Sequence, residues 1–226
     1  MHPIKKGLKK SMFAKDLSII SHGVTKEDLN KKSIKKEWEK RRFDIAFIGG
    51  VRGKEYIYRK KILNKLDIKY KLNEWQKYYN PEKVVELYSD SKIVLNLPRN
   101  DNRFDANTRC FEGMAAGSLL ITPKGSELNY YGFYPGEDYL EYLNDNDLTR
   151  IIEIVIRNPE KYREIALKGQ LKTTLNHNYD NLTKMILKDF RNPKETKNIL
   201  KKLLAIIIYF IRKLSQRLRN SLKFNR

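Results

Sequence analysis

The stretch NTRCFEGMAAGSLLITPKG, Asn107 to Gly125, decides how this chain folds. Thr108 to Ala116 reads as a helix, Gly117 as its C-terminal cap, and Ser118-Leu-Leu-Ile-Thr122 as a strand that is almost continuously apolar. A strand without polar alternation is buried on both faces, as in a parallel sheet covered by helices.

The same alternation of strand and helix extends in both directions. Upstream, Phe43-Asp-Ile-Ala-Phe-Ile48 predicts a buried strand ended by the turn Gly49-Gly50. Glu55 to Leu66 has Tyr56, Ile57, Ile62, Leu63 and Leu66 at helical spacing, and Ile68 to Leu72 is expected as a second strand. Pro81 opens a helix that buries Val84, Val85, Leu87 and Tyr88. Lys92 to Leu97 is the next strand, stopped by Pro98. Downstream, Asp138 to Leu143 is a further strand, Asp147 to Arg157 a helix, and Pro159 to about Leu175 another. The fold class expected is therefore α/β, a Rossmann-like parallel sheet flanked by helices. Such a sheet binds ligands outside the carboxyl ends of its strands, near a switch in strand order. The loops to watch are Gly49–Lys54, Pro98–Asn107 and Pro123–Glu127.

Charge divides the chain into three. Residues 1–42 hold 13 Lys/Arg against 5 Asp/Glu, residues 191–226 hold 11 against 1, and residues 43–190 hold 23 against 21. The expected organisation is a basic N-terminal segment or linker over 1–42, a Rossmann-like domain over 43–190 and a basic tail over 191–226. A fold that reads nucleic acid would carry the basic face itself, so no specific nucleic-acid partner is expected. In the tail, Leu200, Leu203, Ile207, Phe210, Leu214, Leu218 and Leu222 fall near one helical face, with Lys and Arg on much of the rest. That pattern fits an in-plane anchor on an anionic membrane surface or a partner helix; a helix packing back on the core is the alternative. The longest apolar run, Leu203–Ile211, is nine residues, against about 20 for a spanning helix. The single cysteine, Cys110, excludes an internal disulfide and fits a reducing, cytoplasmic setting, with peripheral contact at the inner face of the membrane.

Asn107 to Gly125 resembles the donor-binding motif of glycosyltransferases built from two facing Rossmann-like domains (the GT-B architecture), and more closely the CgeB/YkvP-like branch of group 1. The resemblance rests on Asn107, Arg109, Phe111, Glu112, Gly117 and Leu119–Thr122, and continues in FIGGVRGKEYIYR, LYSDSKIVLNLPR, FYPGEDYLEY and NHNYDNLTKMIL. It implies that Glu112 holds both ribose hydroxyls of a nucleotide-diphosphate sugar. Around the diphosphate, Gly49 and Gly50 would let the backbone approach, and Arg52, Lys54 and Arg109 would supply charge. Asn107 and Glu127 belong to the same donor site. The activity implied is sugar transfer from that donor to a glycan, glycolipid or protein acceptor. No cofactor and no metal are expected: the diphosphate leaves against basic side chains and helix dipoles.

Several readings compete with these. Arg109 would serve equally as an ion-pair partner of Glu112 or Glu127. Asp145-Asn146-Asp147 has the spacing of a metal-binding D-x-D, but Asp147 reads better as the N-cap of the following helix. His177 reads as a cap or packing residue. The family's second glutamate, eight positions before Glu112, is Phe104 here with Asp105 beside it, so no catalytic residue is assigned. The 42 residues before Phe43 are too few for an acceptor-binding domain. Truncation, a partner chain supplying that half, and a non-catalytic nucleotide-sugar-binding module are all consistent with this.

Overall fold

Phe43–Ala46, Ser91–Leu95, Leu119–Pro123 and Leu140–Tyr142 form strands β1 to β4. They pair in chain order and all in parallel, with Ile45 beside Ile93, Ile93 beside Leu119 and Ile121 beside Leu140. Parallel neighbours cannot be joined by a tight turn, so helices make the crossovers. After β1 come a 3-10 turn, Lys54–Tyr56, helix α1, Ile57–Asp67, and helix α2, Pro81–Ser89. Helix α3, Thr108–Ala115, joins β2 to β3, and a 3-10 turn, Glu127–Tyr131, lies between β3 and β4. Helices α4, Asp145–Arg157, α5, Pro159–Asn176, and α6, Tyr179–Phe190, follow.

This computed structural model describes residues 22–25, 29, 37–98 and 105–190. Ser21–Leu182 is one compact unit that contains all the candidate site residues, and Thr183 onward belongs to a second. The amphipathic tail helix expected after Lys197 lies outside the described residues. Among the described residues no helix is long and apolar enough to cross a membrane.

Both faces of the sheet are covered, as the continuous strands require. Ile45, Phe47, Ile93, Leu95, Leu119 and Ile121 pack in one layer with Ile62, Leu63 and Leu66 of α1 and Leu148, Ile152 and Val155 of α4. Ala46, Val94 and Leu120 face the other way, into Val85 and Tyr88 of α2 and Cys110, Phe111 and Met114 of α3. Full burial of each large side chain contributes about 1.5–3 kcal/mol. The layers also take in residues before Phe43: Trp38 joins the first and Val24 the second. Arg41 is buried at the amino ends of the strands, donating to the Ser91 and Gly117 carbonyls. Burial pulls its pKa down to about 10.

Two details differ from the sequence expectation. Ile68 to Leu72 is no strand: only Leu72 bridges Ile45, and Ile68 is 88% exposed. The Asn73 side chain replaces the missing pairing, accepting from Phe47 N at 2.8 Å and donating to Phe47 O at 3.1 Å. Second, α4 starts at Asp145 and its N-cap is Asn144, whose Oδ1 accepts from Asn146 N and Asp147 N. Asp147 instead reaches back to Leu143 N and pairs with Arg150. The amide and the carboxylate thus cap the helix reciprocally, in the manner of a capping box. Helix α3 approaches the sheet closely at Gly113, where a Cβ would meet Val94 at 2.8 Å. Gly117 has φ +74° and ends the helix, with Gly117 N bonded to Met114 O and Ser118 N to Gly113 O. That is the Schellman pattern, which needs a left-handed residue.

Candidate functional site

The path of the chain around β1 fixes where a ligand would sit. Leu72 pairs with one edge of β1 and β2 with the other. The chain therefore leaves β1 to one side and returns to the opposite side, so strand order switches between β1 and β2. Loops diverge there, and a crevice opens at the carboxyl ends of the two strands.

Arg109 occupies that crevice. Its Nε donates to Ile48 O at 2.8 Å, after β1, and its Nη1 to Asn96 Oδ1 at 3.0 Å, after β2. Its guanidinium lies over the Phe47 ring, 4.6 Å from the centroid. A Cβ on Gly49 would collide with Nη2 of Arg109, so the glycine makes room for the guanidinium. Neither the Glu112 nor the Glu127 ion pair considered for Arg109 is among the contacts seen. Asn107 is the N-cap of α3, accepting from Arg109 N at 3.1 Å, while its Nδ2 donates to Asn96 Oδ1 at 3.0 Å. Buried Asn96 also donates to Thr122 Oγ1 and Asp105 O. One amide thus ties the ends of β2 and β3 to the start of α3.

A second arginine completes the frame. Arg59 of α1 is buried, with Nε donating to Leu97 O at 2.5 Å and Nη1 to Gly50 O at 2.9 Å. Its guanidinium carbon is 5.6 Å from the centroid of the Phe47 ring and 4.8 Å from that of Tyr56. Two guanidinium groups, held in part by main-chain carbonyls, thus stand at the carboxyl ends of β1 and β2. Arg52 and Lys54 are exposed on the loop after Gly50. Glu112 is partly buried one turn into α3; its charge and that of Arg109 both act on the Tyr88 hydroxyl, whose pKa burial raises. Glu127 opens the 3-10 turn after β3, behind the N-cap Ser126. The loop before it is held by Glu141, which accepts from Gly125 N and from the Tyr139 hydroxyl.

Gly49, Asn107 and Arg109 are therefore brought together, Gly50 is tied to them through Arg59, and Arg52 and Lys54 follow in the chain after β1, Glu112 on α3 and Glu127 after β3. Asn96 and Arg59 were not singled out from sequence. Each carried a signal: an amide inside an apolar strand, and a cation three residues before Ile62 on the buried face of a helix. Of the other candidates, Asp145 Oδ1 accepts from the Tyr58 hydroxyl at 2.8 Å, so the D-x-D carboxylates serve the α1–α4 contact and the helix start. His177 is the C-cap of α5, its Nε2 3.1 Å from Tyr131 O, packed on Phe133; burial lowers its pKa. Cys110 is buried, and its thiol pKa is pushed up to about 12, chiefly by burial. Among the described residues no group of three or more His, Cys, Asp or Glu side chains is placed to hold a metal ion.

These features define a Rossmann-like α/β domain with a cationic crevice at its switch point. The chain belongs to the glycosyl transferase-like family, which it matches over residues 28–188. No curated protein matches it. Among solved structures it resembles sucrose-phosphate synthase from Thermosynechococcus elongatus, at 16% identity and a TM-score of 0.52, over 66% of this chain and 38% of that one. It also resembles HepE of Anabaena, solved with UDP-glucose, at 14% identity and a TM-score of 0.50, over 83% of this chain and 52% of that one. At these identities the likeness is one of fold: a half of the GT-B architecture. The chain spans about half the length of these proteins or less.

Proposed function

We propose that this domain binds the nucleotide-diphosphate sugar of a glycosyltransferase that moves the sugar to a glycan, glycolipid or protein acceptor. The observation that carries the reading is Arg109, fixed at the switch point by Ile48 O and Asn96, with Gly49 making room for it. A guanidinium carries five N–H donors, and the two bonds to Ile48 O and Asn96 leave others for contact with phosphate. Arg52 and Lys54 stand nearby on the exposed loop, and Glu112 supplies the two acceptor oxygens that a ribose diol requires. Membership of the family and the UDP-glucose held by HepE support this class of ligand. The departing diphosphate is stabilised by these cations rather than by a metal.

Calorimetric titration with UDP, GDP and their sugars tests the proposal, in the presence of a chelator. One nucleotide family should bind, and Glu112→Ala should weaken it at least about tenfold, the loss of two hydrogen bonds to a charged group. Unchanged affinity in that variant removes Glu112 from the site. A second reading is a nucleotide-sugar-binding module that binds donor without transferring or hydrolysing it. Nucleotide binding with no turnover of any donor sugar favours that form.

A further inference from the structure

The outer face of α1 combines exposed apolar residues with a run of lysines. Ile57, Lys61, Asn64 and Ile68 follow one another along it at spacings of three and four, with Lys60 and Lys65 on its flanks. The isoleucines are 65% and 88% exposed, one at each end of the helix, about 16 Å apart by helical rise. Lys60, Lys61 and Lys65 are exposed and make no ion pair among the described residues. The acidic residues nearby, Glu55 and Asp67, stand at its margins, and Asp67 accepts from Trp75 Nε1. The outer residues of α2, of α4 and of the first turns of α5 instead mix both signs, as in Glu82-Lys83-Glu86, Arg150-Glu153-Arg157 and Glu160-Lys161-Glu164, while the later turns of α5 expose Leu167, Leu171 and Leu175 beside Lys168.

We propose that this face of α1 is a membrane-contact surface, lying flat on an anionic lipid bilayer. The lysines supply the attraction to anionic headgroups, and the isoleucines enter the boundary between headgroups and acyl chains. Nucleic acid would satisfy the lysines but gives the isoleucines no apolar environment. The surface lies outside the donor crevice and does not depend on nucleotide binding. It does set the orientation of the crevice: Ile57 lies three residues beyond Lys54, so the Gly49–Lys54 loop is held at the lipid surface.

The single cysteine is buried, so an Ile68→Cys variant of the full chain accepts an environment-sensitive thiol dye at that one position. Its emission should shift to the blue on phosphatidylcholine vesicles containing phosphatidylglycerol and stay unchanged on phosphatidylcholine alone. A dye at Glu86→Cys, on α2, should not respond. Replacing Lys60, Lys61 and Lys65 together by Gln should reduce partition onto the anionic vesicles about tenfold or more, with nucleotide affinity retained. A dye at position 68 that ignores vesicles, or that responds no more than one at position 86, overturns the proposal. So does a dye that responds to single-stranded RNA and not to lipid. Nucleotide titration of the same variants separates this outcome from failure of the donor-site reading.

Discussion

At the scale of single residues, the site depends on who holds Arg109. Three restraints converge on it: a carbonyl after β1, an amide after β2 and the missing Cβ of Gly49. Gly49→Ala should displace the guanidinium and weaken nucleotide binding, while changing the thermal midpoint little because the loop is only partly buried. Calorimetry beside a melting curve separates the two effects, and an unaltered affinity would remove Gly49 from the site. Asn96→Leu attacks the same point from within. It fills similar volume but deprives Asn107, Thr122 and Arg109 of a buried partner, which should cost about 1–3 kcal/mol in denaturant unfolding. A variant as stable as the parent would mean the amide network contributes nothing net.

At the scale of elements, α2, α3 and α4 begin where their side-chain caps are. Asn80, Asn107 and Asn144 each accept from a backbone N–H in the first turn that follows. Asn144→Ala should cost about 1 kcal/mol and fray the start of α4. Amide exchange at Asn146 and Asp147 is the direct measure, and unchanged protection there would contradict the capping role. This fraying also reaches the site's frame, because Tyr58 of α1 bonds to Asp145 at the start of α4. Helix α1 carries Arg59, so the α4 cap and the crevice are mechanically connected.

At the scale of the whole molecule, His177 reports on how the end of α5 is closed against the domain. Its ring packs among Phe111, Tyr131 and Phe133, and its carbonyl accepts from Val24 N. Burial holds its folded pKa below the ordinary value of 6.5. Between those two values the unfolded chain binds more protons than the folded one, so stability is full above about pH 6.5 and falls as acidification proceeds through the folded pKa. His177→Gln should flatten that part of the pH–stability curve. Melting the two proteins side by side across the window tests this; parallel curves would mean the imidazole does not titrate with unfolding.

Much of this was legible in the sequence. The continuous apolar runs at Phe43, Lys92 and Ser118 read as strands covered on both faces, as in a parallel sheet between helices. Pro81 and Gly117 marked helix ends by their own backbone preferences, and the motif from Asn107 to Gly125 pointed to the family. What local pattern could not resolve was anything requiring two distant segments. Ile68 to Leu72 has the composition of a strand, yet only Leu72 pairs, because Asn73 satisfies the edge of β1 in its place. The cation at position 59 and the amide at position 96 looked like interruptions of apolar elements. They became site residues only when the switch in strand order brought the Gly50, Leu97 and Ile48 carbonyls and the Asn107 amide to them. Side-chain chemistry and periodicity are written along the chain, whereas hydrogen-bond partners tens of residues apart exist only once the sheet has chosen its strand order.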